Sequence, residues 1–134
     1  MKIFVCLDDK GGMMFNNRRQ SRDRVLMADM KTSIEDSPLL VSPYSEKLVR
    51  EHAIHCTVYN NPLACAGEND FCFIEDIDAS DYVYSIDTVI IYKWNKRYPA
   101  DVFFNLDMSE FKLVSVYDFE GYSHEKITKE VYKR

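Results

Sequence analysis

The chain opens on a five-residue apolar run, Ile3-Phe4-Val5-Cys6-Leu7, stopped by Asp8-Asp9 and then Gly11-Gly12. An apolar run rich in β-branched and aromatic residues, bounded by charge and glycine, predicts a buried strand, Lys2 to Asp8, followed by a turn. The period then changes. Val25, Leu26, Asp29 and Met30 recur at helical spacing, which predicts a helix of about 10 residues within Asn17 to Met30. Its entry is read as a capping box with Asn17 as Ncap and Gln20 as N3, or as a later cap at Ser21. Ser37-Pro38 breaks the pattern, and Leu39-Leu40-Val41 is short enough for a second buried strand.

Ser42-Pro43 is a good helix entry, because a serine Ncap satisfies a free amide and proline at N1 loses no hydrogen bond. Leu48 and Val49 then face the core. His55 to Tyr59 reads as a third strand closed by the turn Asn60-Asn61-Pro62, and Phe71 to Ile74 as a fourth that stops at Glu75-Asp76. One helical turn is expected over Ala79 to Tyr84. Thr88 to Tyr92 is a strand, Tyr98 to Asp101 a turn, and Phe111 to Tyr117 and Lys126 to Lys133 alternate as an antiparallel hairpin joined through Phe119 to Glu125. Strands and short helices interleave early and strands dominate late. That order predicts one α/β domain over residues 1–134, with a mixed, mostly parallel sheet, flanking short helices and a C-terminal antiparallel hairpin.

Composition narrows the chemistry. Only four glycines occur in 134 residues, and no phosphate-cradling G-x-G-x-x-G or G-x-x-x-x-G-K-[ST] run can be written. The four cysteines form no C-x-x-C pair, and a chain of this size needs no covalent staple. With no secretory pattern after Met1, free thiols in a reducing cytoplasm are expected. No apolar run approaches the ~20 residues of a membrane span. The net charge of −5 is unevenly spread: Arg18 to Arg24 holds four arginines and one acid, whereas Glu68 to Asp87 holds seven acids and no Lys or Arg. A net acid balance disfavours non-specific coating of nucleic acid, which depends on many cationic contacts.

The succession of pieces resembles a shortened dihydrofolate reductase. The resemblance is carried by Lys2 to Asp8 with its Gly-Gly-Met turn, the helix bearing Asp23, Leu39-Leu40-Val41-Ser42 with Tyr44 to Val49, and Asp87 to Tyr92 through Phe103-Phe104, Glu110 to Val114 and the final hairpin. It implies a dihydrofolate reductase-like fold, with Asp23 at the place of the family's single active-site carboxylate. The departures are as informative. Where the family holds cofactor phosphate, this chain has Ser42-Pro43, and where the family has a glycine pair after the fourth strand, it has Glu75-Asp76. Carboxylates at a helix entry occupy the positive dipole end that otherwise binds a pyrophosphate. The stretch from Tyr59 to Phe71 is also too short for the helix and strand that the reductase places there. The resemblance therefore implies a fold that has lost its dinucleotide site and carries no cofactor. A second likeness is to small bacterial proteins named ribonuclease Z, but the H-x-H-x-D-H metal motif of the true enzymes cannot be assembled from His52, His55 and His124.

Several constellations have two readings. Asp23 is a candidate catalytic acid or proton relay; among Arg19, Arg22 and Arg24 it also reads as a surface ion-pair partner. Arg18, Arg19, Gln20, Arg22 and Arg24 form a candidate anion or RNA-phosphate site, since guanidinium forks match phosphate geometry, or else a solvated charged face. Glu75 and Asp76, with Asp78 and Asp8-Asp9 across the sheet ends, are candidate hard-cation ligands. His52, His55, Cys56, Cys65 and Cys72 lack the paired short spacings of structural zinc. Tyr82, Tyr84, Tyr92, Trp94 and Tyr98 read as a stacking surface or, more simply, as core and cross-strand packing. The functional expectation is a binding or interaction domain for a small ligand or a protein. An RNA-associated protein or nuclease using the arginines is the alternative, and a reduced pterin- or nucleotide-binding enzyme is the third.

Overall fold

The computed structural model describes residues 1–134. Its strands are β1 (Lys2–Leu7), β2 (Gly12–Phe15), β3 (Arg18–Arg19), β4 (Leu39–Val41), β5 (Cys56–Val58), β6 (Phe71–Phe73), β7 (Thr88–Lys93), β8 (Val102–Phe103), β9 (Lys112–Phe119) and β10 (Ile127–Lys133). The helices are α1 (Arg24–Ile34), α2 (Pro43–Glu51) and the four-residue α3 (Pro62–Cys65), with a 3₁₀ segment over Ser80–Ser85. Seven strands form one sheet in the order β5-β4-β6-β1-β7-β10-β9. The first four pairings are parallel and the last two antiparallel. This is the mixed α/β sheet with a C-terminal hairpin that the pattern predicts.

β1 lies at the centre because its side chains are apolar on both faces. Ile3, Val5 and Leu7 pack on one side with Met13, Met14, Leu40 and Ile91. Phe4 points to the other, where α1 contributes Leu26, Met27 and Met30 and α2 contributes Leu48 and Val49. Burying a side chain of this size contributes roughly 1.5–3 kcal/mol, so the two helices are held to the sheet by these few positions. No helix is long and apolar enough to cross a membrane.

The first helix starts later than its predicted entry. Asn16 and Asn17 have φ values of 55° and 61° and form the two-residue loop of a hairpin that pairs Met14 with Arg19 and Phe15 with Arg18. Asparagine tolerates the left-handed region that a two-residue hairpin loop requires at both positions, so Asn17 turns the chain and caps nothing. The helix begins after Asp23, whose carboxylate accepts from the Val25 and Leu26 amides. The expected Asn60-Asn61-Pro62 turn becomes the entry to α3, with Asn61 accepting from the Leu63 amide.

α2 ends in a Schellman arrangement: the Ile54 amide donates to the Val49 carbonyl and the Ala53 amide to Arg50. Ala53 sits there at φ 56°, a conformation that costs an L side chain energy and glycine almost none. Ala53→Gly is expected to raise unfolding stability by about 0.5–1 kcal/mol. Urea denaturation of the two proteins measures it.

Candidate functional site

The carboxyl ends of β1, β6 and β7 bring Cys6, Phe73 and the following Ile74, Glu75 and Trp94 to one edge of the sheet, the place where open α/β sheets hold ligands. The β2–β3 hairpin and the segment Gln20 to Asp23 cross in front of it. Together they line a narrow cleft of about 20 Å³, with Met13, Arg19, Gln20, Ser21, Asp23 and Leu48 among its walls; Arg19 and Gln20 also line an open groove of about 300 Å³ with Phe15, Arg18, Tyr98 and Pro99. The cleft holds about one water, whereas the groove's volume lies at the lower end of the ligand-pocket range and suits a small molecule.

Asp23 is not a surface ion-pair partner of the arginines. Its side chain is 0% exposed, and its two oxygens are ringed by donors from both ends of the chain. Oδ1 accepts from the amides of Val25 (2.9 Å), Leu26 (3.4 Å) and Tyr122 (3.0 Å). Oδ2 accepts from the Ser123 amide (2.9 Å), and it lies 3.3 Å from Ser123 Oγ and 2.9 Å from His124 Nδ1. Burial raises the pKa of this carboxyl, but the bonds from the Tyr122 amide, His124 and the Ser123 amide outweigh burial and hold it well below the usual carboxylate range. The acid is therefore ionised, capped and fully occupied.

His124 is the residue that sequence reasoning missed. Its ring is stacked on Trp94 with centroids 4.6 Å apart, and its side chain is 3% exposed. With Nδ1 donating to Asp23, Nε2 is left as an acceptor, and it lies 3.1 Å from both Ser21 Oγ and Tyr98 Oη. The signal was present in the hairpin loop from Phe119 to Glu125, which is longer than a turn needs and carries Gly121, Ser123 and His124. Such loops on a rigid sheet are where functional side chains gather. Nearby, Gln20 Nε2 donates to the Pro99 carbonyl while its Oε1 is buried with no partner. Asp8 holds the floor of this region by accepting from the Gly12, Lys10 and Tyr98 amides.

The arginines do not form one patch. Arg19 makes a two-pronged bond to Glu75, with Nε 2.8 Å and a terminal nitrogen 3.0 Å from its oxygens, and its guanidinium also lies over the Tyr44 ring. Arg22 pairs with Glu51 and Arg24 lies over the Tyr122 ring. Arg18 is exposed on the hairpin. Glu75 and Asp76 are likewise engaged: Ser45 Oγ donates to Glu75 and Ser42 Oγ to Asp76, each at 2.7 Å. Both serines belong to the entry of α2, so the two carboxylates sit at that helix's amino end and not at the entry of the element that follows β6. No three His, Cys, Asp or Glu side chains come together as a metal site, so neither the cation reading of Glu75 and Asp76 nor the zinc reading finds a ligand set. Burial pushes the Cys72 thiol up to about 12, and burial with the nearby Glu75 charge raises Cys6, which makes both poor nucleophiles. Tyr92 and Trp94 are core residues, whereas Tyr84 is almost fully exposed.

Two expectations follow from the Asp23 ring of donors. A Cβ on Gly121 would stand 2.6 Å from Asp23 Oδ2 and 2.9 Å from Ile127 Cδ1, so Gly121→Ala should cost about 1–3 kcal/mol, read as a lower denaturant midpoint. A carboxylate with a lowered folded pKa stabilises the protein above its unfolded value, near 3.8, and that contribution disappears as pH falls below it toward the folded value. Wild type should therefore lose more stability than Asp23→Asn between pH values of about 6 and 2.5, measured by urea unfolding at each pH.

No family model matches the chain, and no curated protein matches it. Among solved structures it is similar to dihydrofolate reductase from Enterococcus faecalis complexed with NADP(H) and RAB-propyl, with 10% sequence identity and a TM-score of 0.69, over 99% of this chain and 95% of that one. The likeness to proteins named ribonuclease Z is not shown by these comparisons. What they show is the fold: this chain has a dihydrofolate reductase-like architecture.

Proposed function

We propose that this protein is a small-molecule-binding domain built on the dihydrofolate reductase-like fold, that it takes no dinucleotide, and that its ligand sits in the groove beside Arg19, Gln20 and Tyr98. The observation that carries this reading is the placement of Glu75 and Asp76 on the serines at the α2 entry. An amino-terminal helix end favours anions, and here the protein's own carboxylates have taken that role. A bound pyrophosphate would have to displace two hydrogen-bonded acids and face their charge.

The connection between β5 and β6 supports the same reading. It contains only the four-residue α3, with no further strand to widen the sheet on that side. Asp23 also has no acceptor to spare for a pterin-like ring edge, since protein donors surround both oxygens. The groove instead offers a ligand the Phe15 and Tyr98 rings and the exposed Arg18 guanidinium. Dispersal of the arginines onto Glu75, Glu51 and Tyr122 favours this reading over one in which they track an RNA backbone.

Thermal unfolding with and without NADPH tests the proposal. A ligand present at a hundredfold excess over its Kd stabilises by about 2.7 kcal/mol, so binding would be visible as a concentration-dependent rise in Tm. No rise is expected for wild type. The double variant Glu75→Gly/Asp76→Gly is also expected to show none, because the short β5–β6 connection remains. A saturable rise in wild type would overturn the reading.

A further inference from the structure

Ser21, His124 and Asp23 come from opposite ends of the chain and meet in one hydrogen-bonded line. Ser21 Oγ lies 3.1 Å from His124 Nε2, and His124 Nδ1 lies 2.9 Å from Asp23 Oδ2. Asp23 and His124 are buried, whereas Ser21 is partly exposed and lines the cleft. A hydroxyl within reach of a base, with that base oriented by a third group, is the signature of an activated nucleophile on any fold. The ring cannot easily turn away from this alignment, because Trp94 stacks on its face and Asp23 fixes the edge opposite Ser21.

We propose that Ser21 is an acyl-accepting nucleophile, with His124 as its general base and Asp23 as the positioning residue that sets the imidazole tautomer, acting on a small carboxylic ester. In the first step Ser21 Oγ attacks the ester carbonyl while its proton passes to His124 Nε2. The carbon–oxygen bond to the alcohol then breaks, and the alcohol leaves with that proton, so that an acyl-Ser21 ester and a neutral ring remain. In the second step His124 takes a proton from water, the hydroxide displaces Ser21 Oγ from the acyl carbon, and the proton returns to the serine as the carboxylic acid departs.

The proposal rests on the reading that a small molecule binds at the groove that adjoins the partly exposed Ser21, but not on the absence of a dinucleotide. NADPH binding would overturn the earlier reading and leave this one standing. The test uses the full chain with p-nitrophenyl acetate as substrate and a fluorophosphonate as covalent probe, followed by peptide mass mapping. Label is expected on Ser21, with catalytic release of p-nitrophenol by the wild-type chain. Ser21→Ala should abolish the label and lower release on the order of 10²-fold or more, and His124→Gln should do the same to release. Asp23→Asn should lower kcat for p-nitrophenyl acetate with KM little changed, because the ring loses the acceptor that holds its proton on Nδ1 and faces Nε2 to Ser21, a split that loosened structure alone would not produce. Ser115→Ala, on the exposed edge strand, serves as the folded control and should match wild type. An unlabelled wild-type protein, label on another residue, or Ser21→Ala hydrolysing as fast as wild type would each overturn the proposal.

Discussion

The structure turns on one buried carboxylate. Asp23 ends the segment after the β2–β3 hairpin, begins α1 and receives the loop between β9 and β10, so three separate parts of the chain share a single pair of oxygens. An ion with no exposed surface is costly unless its lone pairs are filled, and here amides from Val25, Tyr122 and Ser123, with His124, fill them. Removing any of these donors leaves charge without compensation. This constraint explains why position 121 is a glycine: the backbone must approach the carboxylate closely enough that even a methyl group would collide with it.

A partly buried ion pair ties the hairpin to the sheet. Arg19 on β3 meets Glu75 just beyond β6, and Ser45 of α2 completes the acceptor's shell. The planar fork of arginine makes the two parallel bonds that such a pair needs to offset its desolvation. The two charge blocks that stand apart in the sequence are thus partly spent on each other. Of the other arginines, Arg22 pairs with Glu51, Arg24 lies over the Tyr122 ring and Arg18 is exposed, while among the acids Asp76 accepts from Ser42, Asp78 from the Ser80 amide, and Asp87 pairs with the Met1 amine.

The sheet was legible in the sequence because its signals are local. Ile3 to Leu7, Thr88 to Tyr92 and the alternating stretches near the carboxyl end are apolar runs with clear stops, and they became β1, β7, β9 and β10. The α2 entry was legible for the same reason, in the pair Ser42-Pro43. Failure came at residues 16 to 23, where two signals compete. Asn17 and Gln20 match a capping box, but Asn16-Asn17 also match a two-residue hairpin loop, and the hairpin prevails because Met13 and Met14 gain burial against the sheet. The local pattern does not contain that tertiary gain. For the same reason the partner of Asp23 was misplaced: neighbouring arginines are visible along the chain, whereas His124 lies 101 residues away and comes into contact only when the last hairpin folds back.

Within the cleft the carboxylate and the imidazole differ in how far their hydrogen-bonding capacity is filled. A carboxylate surrounded by six donor groups has no capacity left to accept a proton in a reaction, and its lowered pKa opposes that role further. His124 differs. With Nδ1 given to Asp23, Nε2 has one lone pair and two hydroxyls at 3.1 Å, those of Ser21 and Tyr98. One lone pair accepts well from only one of them. The other hydroxyl must direct its hydrogen elsewhere, and the buried, unpartnered Gln20 Oε1 leaves a matching demand for a donor in the same cleft. Unmet hydrogen-bonding capacity at a ring that is otherwise immobilised is what a ligand can exploit, because the protein has already met the entropic cost of holding the groups in place.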